Sequence, residues 1–190
     1  PWLGVGLLER LGRQLSLDLD RLNLNAYLPV GGDAGKGAAA KDPAGTVSRG
    51  YQLTFNTLQL AARLKVKRFL NASSMVVYGN IPVDQNPVSE DVRCLPISHY
   101  AVGKFANERL VEIFCADAGI GYNQMRMFNV YGPGQDLARM DQGVVSIFLA
   151  MLLKSPKILS RGALERFRDI VHIDDVVSAW TKCATDCSTD

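Results

Sequence analysis

Histidine occurs only twice, at His99 and His172, and the four cysteines, Cys94, Cys115, Cys183 and Cys187, form no C-x-x-C pair. That scarcity withholds the ligand spacing a metal site needs, so no metal is expected. The thiols are expected to be free in a reducing cytosol. A formal charge of +2, with the basic residues scattered and not striped, gives no case for nucleic-acid binding. The longest strongly apolar run, Gly143 to Leu153, is too short to span a bilayer. No charged leader with an apolar core and cleavage site is read at the opening, so a cytoplasmic protein is expected.

What is present is ordinary for a globular chain: 190 residues, 47% hydrophobic and 21% charged. That length predicts one domain, with room for a small appendage, and a proper core. Leu3 to Leu11 reads as a helix entered through Gly4 and Gly6, and Gln14 to Asp20 alternates like a strand. Ala26 to Gly32 is a short apolar piece, followed up to Gly50 by loop plus a weak helix. Leu53 to Leu64 has helical apolar spacing, and the strand after Val66 ends at Ser73-Ser74. Asn80 to Ile97, with Pro82, Pro87 and Pro96, is expected to be mostly loop. His99 to Ala118 reads as a long helix stopped by Gly119 and Gly121. Tyr122 to Val130 reads as a strand, Tyr131 to Gly134 as a turn, and Val144 to Lys154 as a helix. Ile158-Leu159 and Ile170 to His172 read as short strands, and Asp174 to Ala184 as a closing helix. Alternating strands and helices predict an α/β fold with a parallel sheet covered on both faces.

Tyr100-Ala-Val-Gly-Lys104 opens the long helix. A Tyr and a Lys four apart share one helix face, so the ammonium can sit beside the phenol. A free phenol, with a pKa of about 10, is a poor base at neutral pH. A fixed positive charge favours the phenolate and makes the pair a proton-transfer device. Such spacing by itself is commonest on a solvated helix face, and its weight comes from its surroundings. His172 is expected to pack in its strand, and Cys183 and Cys187 to be structural. Arg161, Arg166 and Arg168 make a local basic excess suited to one anionic ligand. Gly31 to Gly37 lacks the Ser or Thr after Lys36 that a magnesium-binding phosphate loop requires, and that reading is rejected.

Several segments, taken in order, resemble the extended short-chain dehydrogenase/reductase family in its nucleotide-sugar epimerase/dehydratase branch. They are V-K-R-F-L-N-A-S-S-M-V-V-Y-G, D-Q-N-P-V-S-E, S-H-Y-A-V-G-K, M-R-M-F-N-V-Y-G-P-G-Q and R-F-R-D-I-V-H-I-D-D-V-V, and the likeness runs from about Asp42 to Ala179. The resemblance implies a Rossmann-like doubly wound parallel sheet. It implies Ser74, Tyr100 and Lys104 as the catalytic set, with Lys104 also holding the nicotinamide ribose of NAD, NADP being left open. Asn129 and Arg168 match positions used around the substrate diphosphate. Tyr100 would take a proton from a sugar hydroxyl as hydride leaves, with Ser74 on the same oxygen. The implied function is epimerisation, or a related oxidation or reduction, of a nucleotide-diphosphate sugar through a keto intermediate. Dehydratases of the branch place an Asp-Glu pair after the catalytic Thr; Met75-Val76 stands here, which disfavours dehydration. A homodimer through the helix starting near His99 is also implied.

The likeness thins toward the amino terminus. Gly4 stands in place of the last glycine of the family's pyrophosphate turn, and Asp20, or Asp18, is the candidate ribose-binding acid. The first strand and part of the amino-terminal half are missing from the pattern. Residues 1–135 are therefore read as an incomplete dinucleotide-binding domain and 136–190 as part of a substrate region interleaved with the last strands. Either the sequence belongs to a longer polypeptide, with the missing initiator Met favouring this, or it is a degenerate relative kept as a binding or assembly module.

Overall fold

A computed structural model describes residues 41–138, 143–156, 158 and 168–185. The expectations placed on residues 1–40, including Gly4, Asp18 and Asp20, lie outside the described residues, as do those on Leu159, Arg161, Arg166 and Cys187.

The first described helix, α1, runs Pro43–Arg63 and starts ten residues before the expected Leu53. Asp42 explains the early start: its carboxylate accepts the Gly45 N–H at 2.9 Å, and Pro43 occupies the first turn, where a missing N–H costs nothing. Lys65, at φ 54°, reverses the chain into strand β1, Arg68–Ser74. A 3-10 turn, Met75–Tyr78, follows. The stretch after it is loop as expected, with one 3-10 turn at Val83–Gln85. Gly79 belongs to the V-Y-G motif and has φ 76°; a Cβ there would lie 2.0 Å from the Leu95 carbonyl oxygen, so only glycine fits.

Helix α2 is His99–Ala118, capped by the Ser98 hydroxyl, which accepts from the Ala101 N–H, and ended by Gly119 in the left-handed region. The expected single strand from Tyr122 to Val130 is two strands. β2 is Gly121–Met127 and β3 is Asn129–Tyr131, and each finds a different partner. Helix α3 spans Val144–Lys154. Strand β4, Ile170–His172, runs into helix α4, Ile173–Thr185. Ile158 belongs to no strand.

β1 pairs in parallel with β2 from Arg68↔Gly121 to Ser74↔Met127, and β3 pairs in parallel with β4 from Asn129↔Ile170 to Tyr131↔His172. Parallel strands need covering on both faces, and two apolar clusters supply it. Leu58 and Ala61 of α1, Phe69 of β1, and Val111 and Cys115 of α2 form one. Leu70 of β1 with Ile173, Val176, Val177 and Trp180 of α4 form the other. Phe69 and Leu70 thus go to opposite sides, as strand alternation requires. Val47 packs on Gly103, Gly50 faces Asn107, and Phe55 meets Phe114 edge-on at 6.0 Å, so α1 and α2 run side by side in the same direction. At Gly132 a Cβ would approach Ile173 Cγ2 to 2.4 Å, which lets the β3 exit lie directly on α4. Phe69→Ala, which empties a site only 1% exposed, should cost about 3–5 kcal/mol in denaturant-induced unfolding. A loss below about 1 kcal/mol would show that β1 is not the packed centre of the first cluster.

Candidate active site

β1 delivers its last residues to the start of α2. Along the strand, Asn71 and Ser73 follow Phe69 onto the α2 side, both buried. Polar residues there must be satisfied internally, and they are. The Asn71 amide donates to Gln124 Oε1 at 2.7 Å, and Gln124 donates to the Glu108 backbone carbonyl at 2.9 Å. The Ser73 hydroxyl donates to Glu108 Oε1 in a short hydrogen bond. Glu108, 3% exposed, is gripped by the Arg126 guanidinium through Nε at 3.0 Å and Nη2 at 2.9 Å. Arg126 also reaches Tyr78 OH at 3.3 Å and the Glu90 carbonyl at 3.0 Å, and lies 5.0 Å above the Tyr78 ring. The bonded Glu108 carboxylate is the main reason Arg126 holds its charge more firmly than an ordinary arginine.

Tyr100 and Lys104 occupy the first two turns of α2 on the face directed at this strand end. Lys104 Nζ donates to the Ala72 carbonyl at 2.8 Å, two residues before Ser74, and stands 5.8 Å from the Tyr100 ring centroid. Ser74 is the final residue of β1, and its Oγ accepts the Val76 N–H at 3.5 Å, capping the 3-10 turn. Lys104 thus reaches the backbone two residues before Ser74, at the carboxyl end of β1, where α/β sheets bind ligands.

Burial strips water from the Lys104 ammonium and lowers its pKa from the ordinary 10.5 to about 8, against the pull of Glu108, whose negative charge raises it. Beside the pair, a shallow depression opening to solvent lies between the start of α1 (Thr46, Gly50) and α2 (Tyr100, Lys104, Asn107). Asn107 is 5% exposed, and its Oδ1 finds no hydrogen-bond partner among the described residues.

The remaining candidates lie elsewhere. Asn129 donates its side-chain amide to the Asp169 carbonyl at 2.7 Å, pinning β3 to the approach of β4. Arg168 is exposed immediately before β4. His172 packs edge-on against Tyr131 at 5.2 Å, and its Nδ1 accepts the Asp174 N–H. Cys94, Cys115 and Cys183 are free thiols, and burial pushes that of Cys115 up to about 11. Among the described residues no group of His, Cys, Asp and Glu could hold a metal, and no helix is long and apolar enough to cross a membrane. Glu108, Ser73, Asn107 and the role of Arg126 escaped the sequence reading. The spacing of Tyr100, Lys104 and Glu108 was the available signal, since steps of four place all three on one face.

The comparisons with known proteins agree with this geometry. The family model described as "NAD dependent epimerase/dehydratase family" matches residues 19–189. The chain belongs to that family. It is 38% identical over 126 residues to the UDP-glucose 4-epimerase of Mycolicibacterium smegmatis, covering 64% of this chain and 39% of that one. It is 32% identical over 174 residues to the GDP-6-deoxy-D-mannose reductase of Pseudomonas aeruginosa, covering 83% and 53%. Among solved structures, the UDP-glucose 4-epimerase of Thermotoga maritima with UDP-glucose superposes with a TM-score of 0.74 at 30% identity, covering 90% of this chain and 54% of that one. The chain thus spans about half, or less, of the length of these relatives.

The sign of the Lys104 effect on stability can be worked out. Below pH 8 the folded and unfolded chains both carry the proton, and the cost of burying it is fully present. Between about 8 and 10.5 the unfolded chain holds more protons, so the contribution to stability rises with pH. Denaturant unfolding across that window should show the rise, and Lys104→Met should flatten it. An unchanged slope in the variant would place the titration on another group.

Proposed function

We propose that this chain carries the catalytic part of an NAD-dependent nucleotide-sugar 4-epimerase or a close oxidoreductase relative, with Ser74, Tyr100 and Lys104 as the catalytic set. The observation that carries the reading is the desolvated Lys104 ammonium, held by the Ala72 carbonyl beside the Tyr100 ring. A cation fixed there favours negative charge on the phenolic oxygen, which equips Tyr100 to take a proton from a sugar hydroxyl and return it. The Ser74 hydroxyl would hydrogen-bond the same substrate oxygen. Lys104 and Tyr100 would hold the nicotinamide ribose. Gly4 would take the pyrophosphate and Asp20 the adenosine ribose. The dinucleotide, when bound, supplies a reversible hydride acceptor. NADP remains open as the alternative cofactor, since a relative at 28% identity was solved with NADPH.

Asn129 and Arg168 would serve the substrate diphosphate, arginine through its fork of donors. Their support is position: where β3 begins, Asn129 is hydrogen-bonded to Asp169, the residue after Arg168. Residues 1–135 would hold the dinucleotide and 136–190 contribute to the sugar side, with the β3–β4 pairing joining the two. Met75 and Val76, directly after Ser74, can carry no proton, which favours epimerisation or ketone reduction over dehydration. Tyr51 and Leu60 of α1, Leu64 at its C-cap, and Val102 and Ile113 of α2 are exposed apolar residues, and they support a homodimer through the α1–α2 layer.

Tyr100→Phe should lower turnover of a UDP-hexose with NAD by on the order of 10²–10⁴ while leaving the unfolding midpoint in place. Undiminished turnover would remove Tyr100 from the mechanism. Ile113→Glu, which puts a charge on the exposed α2 face, should shift sedimentation velocity from dimer to monomer. A parent that sediments as a monomer at micromolar concentration refutes the dimer.

A further inference from the structure

Between the 3-10 turn that Ser74 caps and the helix that carries Tyr100 runs an irregular strap, residues 79–97. Its two ends join the two halves of the candidate site. On one side stands Tyr78, the last residue of the Ser74 turn, and on the other Ser98, the cap of α2. The strap closes on itself at Gly79, where the Leu95 carbonyl oxygen leaves no space for a Cβ. Its backbone hydrogen bonds are local: Gln85 donates to Pro82, Asn86 to Val83 and Val92 to Ser89. Pro82 to Pro87 are all exposed, so packing does little to hold them. Among the described residues, the hydrogen bond that ties the strap to the sheet comes from Arg126 of β2. Its Nη1 donates to the Glu90 carbonyl at 3.0 Å.

The same guanidinium has two other holds. Nη1 also donates to Tyr78 OH at 3.3 Å, and the group lies 5.0 Å from the centre of that ring. Nε and Nη2 are fixed on the buried Glu108 carboxylate of α2 at 3.0 and 2.9 Å. A planar fork with several donors is what lets one side chain serve three partners at once. The Arg126 side chain is 20% exposed, so its charge-assisted bonds are worth more than those of a surface arginine. We propose that Arg126 is a positioning residue of the catalytic site. Anchored on Glu108, it clamps the Tyr78 turn and the strap, and so sets Ser74 relative to the Tyr100 end of α2. Its catalytic meaning rests on the epimerase reading; the clamp itself does not.

Arg93 is the strap's one Lys or Arg and is exposed, so tryptic cleavage after it in the full chain reports release of the strap. Arg68 lies within β1, and cleavage there reports global unfolding. Arg126→Lys keeps a cation for Glu108 but offers one nitrogen in place of three, and cannot hold Tyr78 and Glu90 as well. Loss of the Glu90 bond should speed cleavage after Arg93 by about tenfold and leave cleavage after Arg68 unchanged. With a UDP-hexose and NAD, kcat should fall by on the order of 10–100-fold while KM stays within about twofold. An unchanged rate after Arg93 overturns the clamp. Rates after Arg93 and Arg68 that rise together show an Arg126 that only stabilises, and overturn the inference as well. So does an unchanged kcat in a variant whose strap is released. If Arg126→Lys does not fold, Arg126→Gln/Glu108→Gln, which leaves no unpaired buried charge, carries the same readouts and decisions. A parent with no turnover on any nucleotide sugar removes the epimerase reading, while the two cleavage rates still decide the clamp.

Discussion

Side chains on a strand alternate between two faces, and β1 is buried on both, so its parallel register with β2 decides what every neighbouring element can do. Sliding that register by one residue would send Phe69 toward α4 and Leu70 toward α2, exchanging the two faces of the strand. In the observed register the α2 side reads apolar at Phe69, then polar at Asn71 and Ser73. The switch from apolar to polar along one face of one strand is what creates a site at the strand's end and a core at its beginning.

The polar end is costly to bury, and the structure compensates within a small volume. Asn71, Gln124, Ser73, Glu108 and Arg126 form a connected set of hydrogen bonds in which the one carboxylate meets the one guanidinium in several contacts. Removing a single member of such a set leaves a charge or a donor unanswered, so the set behaves as a unit. Lys104 donates to the Ala72 carbonyl and stands 5.8 Å from the centre of the Tyr100 ring. A cation held beside a phenol favours its ionised form.

Family membership and geometry meet at this point. The likeness to the named relatives covers 64–90% of this chain and 39–54% of theirs. The region it covers includes the strand end, the Tyr-Lys helix and the β3–β4 pairing. The α1–α2 layer on one side and α4 on the other frame the site, and Gly79 and Gly132 permit the close approaches that bring the loops against it. These are features of backbone contact, and they explain why the V-Y-G and V-Y-G-P-G motifs carry glycine where they do.

Much was legible from local pattern. The bounds of α2 and α3 follow from apolar spacing and from Ser98 and Gly119, and Tyr100 with Lys104 declare themselves because four residues is just over one helical turn. The early start of α1 was missed because a Gly- and Ala-rich stretch hides its cap, although Asp42-Pro43 is a start signal in its own right. The division of β2 from β3 could not be read, since one run of strand-forming residues says nothing about a change of partner at Phe128. Local order thus settled which residues are helical, which extended, and that Tyr100 and Lys104 share one face of α2. Only the folded chain decided that Ser73 and Arg126, 53 positions apart but in register, close on Glu108, and that Lys104 loses its water. Both outcomes depend on burial and on contacts distant in sequence, and neither is encoded in the spacing of neighbours.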